Sequence, residues 1–170
     1  VNATAHTVDE GMTYDNAARL ASVTHKYNGN AAVTLADYVY NELGQLVDKN
    51  LGKLGPDSYL QSVDLRYNIR GWLTGINNAD LSNDGYNTES NDVFGMELLY
   101  QGIDAGLGNA GLYNGQVSAV KWKVKMDSHA FTNVGRAYVY SYDKLGQLRN
   151  ALFKGNSGSG WNYLNGAYDE

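Results

Sequence analysis

Apolar and polar residues alternate with a period of two along much of this chain. In VKWKVKM, residues 120–126, Val120, Trp122, Val124 and Met126 fall on one side and Lys121, Lys123 and Lys125 on the other. That spacing predicts a half-buried strand with a wet lysine face, and helical spacing fits it badly. Tyr38 and Tyr40, and later Tyr138, Tyr140 and Tyr142, also recur at every second position. Aromatic rows of this kind stack across neighbouring strands. Helical periodicity is nearly absent. Only ESNDVFGMELLYQGI admits a short helix, and its VFGMELLY portion (93–100) also reads as a strand. The expected fold is all-β.

A repeat organises the strands. YDNAARL (14–20), YNELGQL (40–46), YNIRGWL (67–73) and YDKLGQL (142–148) align without gaps. Each has Tyr, then Asp or Asn, then a variable stretch that ends in Leu, with Gly at the fifth position in three copies. Tyr14, Tyr40 and Tyr67 follow one another at 26 and 27 residues, and Tyr67 to Tyr142 is 75. That last gap leaves room for two degenerate copies, for which VFGMELLY and YNGQV (113–117) are the candidates. Each unit reads as a β-hairpin. Tyr ends the incoming strand, and Asp15, Asn41, Asn68 or Asp143 caps the turn with its side chain. Gly44, Gly71 and Gly146 supply a positive φ, and Leu opens the return strand. Ala18 stands where Gly is expected. Asn114-Gly115 in the shortened copy suits a two-residue type I′ turn.

The whole of residues 1–170 is expected to form a single repeat domain of about six hairpins. NNADLSNDGYNTESND (77–92) is a polar insertion. Residues 155–170 begin with the flexible GNSGSG and resemble an incomplete last unit. Composition agrees with strands and turns: 14 Tyr and 20 Gly stand beside a single proline, Pro56. A formal charge of -5 argues against nucleic acid, whose phosphates require a basic face. No apolar run approaches the roughly 18 residues of a membrane span, so membrane insertion is not expected, and the N-terminus does not read as a signal peptide. Zero cysteines exclude disulfides and a thiolate nucleophile but leave the compartment open.

Chemistry-bearing patterns are sparse. His6, His25 and His129 are scattered, with no HExxH helix, and GxSxG, Walker A and GxGxxG motifs are missing. A glycosidase needs two carboxylates across a groove, and Asp9, Glu10, Asp37, Glu42, Asp64 and Glu97 are available without any spacing that pairs them. Asp80, Ser82, Asp84 and Gly85 follow the spacing of a calcium loop, but Asn91 replaces its final bidentate Glu. An exposed polar loop explains the same residues. Trp72, Trp122 and Trp161 offer a glycan-stacking face if exposed, and core packing if not. No cofactor is expected.

The four Tyr-Asp/Asn motifs, in YDNAARLASVTH, YVYNELGQLVDKNLG, RYNIRGWLTGINN and YVYSYDKLGQLRNALF, resemble the RHS or YD-repeat family, in the form found in large surface proteins of Bacteroidetes. The resemblance covers residues 12 to 153. It implies a ribbon of antiparallel β-hairpins coiled into a curved or spiral sheet or shell, on an extracellular or cell-surface protein. Within that family such shells enclose C-terminal toxins or make adhesive contacts. The proline- and aspartate-rich junction that precedes the toxin is missing here, and so is a toxin domain. The expected function is a non-enzymatic β-scaffold, with a carbohydrate- or surface-binding module as the alternative and a glycan-active hydrolase behind both. The expected partners are the remaining repeats of a longer parent chain, with polysaccharide as a further candidate. Open sheet edges also predict self-association.

Overall fold

The computed structural model describes residues 5–86, 89–125, 134–156, 158 and 160–163. It resolves into two compact units, Val1–Leu65 and Arg66–Glu170. The first holds β1 (Val8–Tyr14), β2 (Leu20–Tyr27), β3 (Val33–Tyr40), β4 (Leu46–Gly55) and most of β5 (Ser58–Tyr67). The second holds β6 (Leu73–Ile76), β7 (Phe94–Leu99), β8 (Ala119–Val124), β9 (Gly135–Tyr142), β10 (Leu148–Asn156) and β11 (Trp161–Tyr163). Within each unit successive strands pair antiparallel. The protein is all-β, and no helix occurs among the described residues. Residues 94–99 of the one helix candidate are β7, because Phe94, Met96 and Leu98 pair with Val124, Trp122 and Val120 along one face.

The turns follow from their seven-residue motifs. At the β3–β4 turn, Asn41 N–H donates to the Gln45 carbonyl and Gly44 N–H to the Asn41 carbonyl, each at 2.9 Å. Asn41 Oδ1 accepts the Leu43 and Gln45 amides at 3.0 and 2.9 Å. The same side-chain cap recurs at Asp15, Asn68 and Asp143. Gly44, Gly71 and Gly146 have φ of 79°, 77° and 78°, and Ala18 adopts 59° in the same place. That position is therefore left-handed whichever residue fills it.

A fixed register joins one hairpin to the next. The residue three before each motif tyrosine faces the residue two after the preceding motif leucine: Asp37 faces Ser22, and Asp64 faces Asp48. In the second unit Glu97 faces Gly75, and Val139 faces Ala119, with Tyr100 and Val117 taking the tyrosine and leucine places. One tyrosine hydroxyl reaches across each of three such junctions. Tyr40 donates to the Leu20 carbonyl, Tyr100 to that of Leu73 and Tyr142 to that of Val117, at 3.0, 3.0 and 2.8 Å.

VFGMELLY and YNGQV are therefore not two degenerate hairpins but the two ends of one, β7 and β8, with an enlarged loop between them. Asn114-Gly115 is not a type I′ turn. Gly115 has φ of 93°, but Asn114 is not among the positive-φ residues, and type I′ needs both. The extra chain has its own use: residues 100–118 fold over one face of the strands of the second unit. Leu107 inserts there, 1% exposed, against Ala119, Ala137, Leu99, Val139 and Trp161. Asn109 ties the loop down. Its Oδ1 accepts the Asp104 amide, and its Nδ2 donates to the Gly102 carbonyl and to Ser118 Oγ, all at 2.8 Å.

Candidate functional site

The lysine face of β8 is less wet than its alternation implies. Lys121 lies on the covered face and its Nζ meets Glu97 at 2.5 Å and Asp104 at 3.3 Å. Burial pushes the Lys121 ammonium down, but the two carboxylates outweigh it and leave its pKa raised. Lys123 and Lys125 reach backbone carbonyls of Asp80 and Ser90. These bonds anchor the polar insertion.

A polar cleft of about 230 Å³ opens beside that insertion, lined by Arg66, Thr74, Asn78, Asp80, Asp84 and Glu97. Arg66 is its centre. Its Nη1 donates to Asp84 Oδ2 at 2.7 Å, and its Nη2 to the Asn77 carbonyl. Gly75 makes room for it, since a Cβ there would lie 3.2 Å from Arg66 Nε. Asn77, which is buried with φ of 48°, donates to the Phe94 carbonyl at 2.8 Å and closes the chain into the insertion. Arg66 and Asn77 carry no motif, so sequence reading passed over both.

Of the calcium-loop candidates, Asp80 and Asp84 line this cleft, and Ser82 and Gly85 do not. Asp84 Oδ2 is shared by Arg66 and the Asn78 amide, and Asp84 Oδ1 accepts the Tyr86 amide. Asp80 accepts Lys123 through its carbonyl and donates its N–H to Asn78. A guanidinium thus sits on the carboxylate that such a loop would offer to a cation. Among the described residues no group of three His, Cys, Asp or Glu side chains converges.

The tryptophans do not share one surface. Trp122 lies on the face of β8 opposite to Leu107, where it stacks on Tyr138 at 5.7 Å and meets Phe153 at 6.2 Å. Tyr140 continues that row. Trp161 packs against Leu107 on the other face. Trp72 sits at a turn between Tyr100, the Arg70 guanidinium and Gly115. His6 stacks on Tyr27 and shares a 2.7 Å hydrogen bond with its hydroxyl, His25 lies in β2 opposite Glu10, and His129 lies outside the described residues.

The acids are equally dispersed. Asp9 and Glu10 are exposed on β1, and Glu42 is exposed in its turn. Asp37 accepts Tyr59 at 2.7 Å and Lys53 at 3.2 Å. Burial pushes its carboxyl up, but the bonds from Ser22, Tyr59 and Lys53 together hold it below the usual value. Asp64 faces Asp48, whose oxygens take the Ser62 hydroxyl and the Asn50 amide. Glu97 is committed to Lys121. Each of these contacts holds a strand, a turn or the loop.

No protein-family model matches the chain, and no curated protein does. Among solved structures, the chain is similar to TcdB2-TccC3 without its hypervariable C-terminal region. Identity is 14% and the TM-score 0.42, over 91% of this chain and 8% of that one. TcdB2-TccC3-Cdc42 is similar at 14% identity and a TM-score of 0.38, with the same coverage. The chain thus spans less than a tenth of the structures it matches.

Proposed function

We propose that this chain is a non-enzymatic wall segment of an RHS/YD-repeat array on an extracellular or cell-surface protein. The register across its hairpin junctions carries that reading. Four junctions place the residue three before the tyrosine opposite the residue two after the leucine, although the intervals between tyrosines range from 26 to 42 residues. Insertions are placed where they leave the sheet unbroken. Selection for a continuous sheet explains this, and selection for one reactive site does not. The test is the coding sequence on either side of the chain. Further Tyr-Asp/Asn hairpins at the same register are expected there, and unrelated sequence flanking both ends would overturn the reading.

Trp122, Tyr138, Tyr140 and Phe153 support a second reading, a carbohydrate-binding face, because they form one half-buried row on the face away from the loop. Glycan-array binding that disappears in Trp122→Ala with the strands intact would favour it. Binding unaffected by that change would remove it. Trp72 and Trp161 are not part of this row.

A further inference from the structure

We infer that the rim formed by the hairpin corners of the second unit docks on an anionic lipid surface. The corners are residues 68–72 between β5 and β6, 113–116 ahead of β8, and 143–147 between β9 and β10. Each exposes one large apolar side chain: Ile69 at 101%, Tyr113 at 73% and Leu145 at 83%. The inference goes beyond the wall-segment reading and does not depend on it.

Hydrogen bonds place the corners side by side. Arg70 Nη1 donates to the Tyr113 carbonyl at 3.1 Å, and Gln116 Nε2 to the Gly146 carbonyl at 2.7 Å. A Cβ on Gly115 would lie 3.0 Å from the Trp72 ring. Neighbouring strands lie about 4.8 Å apart, so successive corners stand about 10 Å apart and the row spans about 20 Å.

Nothing in the corners themselves selects these apolar side chains. Each motif turn is held by its capping side chain and by backbone bonds, as at Asn68 and Asp143. The third motif position varies freely among Asn16, Glu42, Ile69 and Lys144, and the fourth among Ala17, Leu43, Arg70 and Leu145. A fully exposed isoleucine there gains nothing from the fold. A longer sheet does not cover these tips either. A turn tip pairs with no further strand, so hairpins added before or after the chain leave all three in place.

Charge identifies the occupant. The chain carries -5 overall, yet these corners hold two exposed bases, Arg70 and Lys144, and one acid. That acid, Asp143, accepts the Leu145 and Gln147 amides at 2.8 and 2.9 Å through Oδ1. Arg70 is held at the rim, 5.0 Å over the Trp72 ring. Bases interleaved with apolar tips fit a peripheral contact in which Ile69 and Leu145 enter the acyl boundary, Tyr113 sits among the headgroups, and the bases meet lipid phosphates. A stable protein contact needs about 800 Å² of close-fitting surface per partner. Separate tips about 10 Å apart offer no such patch, whereas a fluid surface takes each tip by itself. The corners of the first unit differ. Leu43 is 82% exposed, but Glu42 stands beside it, and Arg19 is paired with Asp15 at 2.7 Å.

Co-sedimentation tests this with vesicles of phosphatidylglycerol and phosphatidylcholine in equal parts, and with vesicles of phosphatidylcholine alone. The chain is expected to bind the anionic vesicles more tightly, and to leave them as salt rises. Ile69→Ser and Leu145→Ser should each weaken binding about tenfold, since each removes one apolar side chain from the contact. Lys144→Gln should weaken it about fivefold. Leu43→Ser should leave it unchanged. All four side chains are exposed, so the melting curves of the variants should match that of the parent. The chain has no cysteine, so an environment-sensitive dye can be placed on Leu145→Cys or on Leu43→Cys alone. The first should shift to the blue on anionic vesicles and the second should not. Absence of binding to anionic vesicles at low salt would overturn the proposal. Binding left intact by the double change Ile69→Ser with Leu145→Ser would do the same. A chain that ignores vesicles but self-associates until that double change is made would assign the rim to a second copy, and that also overturns it. None of these results bears on the flanking sequence, so failure here is distinguishable from failure of the wall-segment reading.

Discussion

The hydroxyl of Tyr40 donates to the carbonyl of Leu20 at 3.0 Å, twenty residues earlier in the chain. This bond gives the motif tyrosine a role that its own turn does not need. It links the corner of one hairpin to the corner of the one before, and Tyr100 and Tyr142 repeat it. Position six of the motif adds a second link: Arg19 reaches the Asn41 carbonyl and Gln116 that of Gly146.

Tyr40→Phe and Tyr142→Phe should each cost about 1 kcal/mol, the net worth of one part-buried hydrogen bond. In a domain of this size that lowers Tm by about 2–4 °C. Tyr14→Phe should cost nothing measurable in the monomer, because its hydroxyl serves no carbonyl. Thermal melts of the three variants at low concentration check the contrast.

Ala18 and Gly44 hold the same left-handed position with different side chains. Ala18→Gly should stabilise by about 1 kcal/mol, and Gly44→Ala should destabilise by a similar amount. Urea midpoints that shift in opposite directions with unchanged slopes would check both changes.

Asn109→Ala removes three hydrogen bonds from a residue only 4% exposed. The Asp104 amide, the Gly102 carbonyl and Ser118 Oγ lose a partner, at a cost of about 2–3 kcal/mol. Hydrogen exchange should rise across residues 102–109 while the first unit keeps its protection.

Gly95 sits against backbone. A Cβ there would lie 1.8 Å from the backbone carbonyl oxygen of Asn78, so the backbone itself would have to shift. Gly95→Ala should therefore cost about 3 kcal/mol. Gly29→Ala, with nothing within 4 Å of its Cβ and φ of 74°, should cost about 1 kcal/mol. Denaturation midpoints of the pair separate steric from conformational strain.

Asp15 ties the first turn to acid. The Arg19 backbone amide, with help from the Arg19 guanidinium and the Ala17 amide, holds its carboxyl below the ordinary value of 3.8 despite the opposing effect of burial. A depressed folded pKa means that the contribution is present at neutral pH, above the unfolded value, and is lost as pH falls through the folded one. Amide shifts of Ala17 and Arg19 should move with a midpoint below 3.8, and Asp15→Asn should flatten them.

The sequence by itself determined the turns. Asp15, Asn41, Asn68 and Asp143 are satisfied by amides two and four residues ahead, so the motif holds every partner its corner requires. Period-two alternation likewise placed the strands, because face is a local property of an extended chain. Only the tertiary structure decided that residues 100–118 cover one face, that Lys121 lies under them with Glu97 and Asp104, and that Trp122 and Trp161 part to opposite sides. It also set Arg66 on Asp84 and Tyr40 on Leu20. Those contacts join residues 17 to 43 positions or more apart through packing and hydrogen bonds, as Lys121 does with Asp104 and Lys123 with Asp80, and no periodicity in the chain encodes such distances.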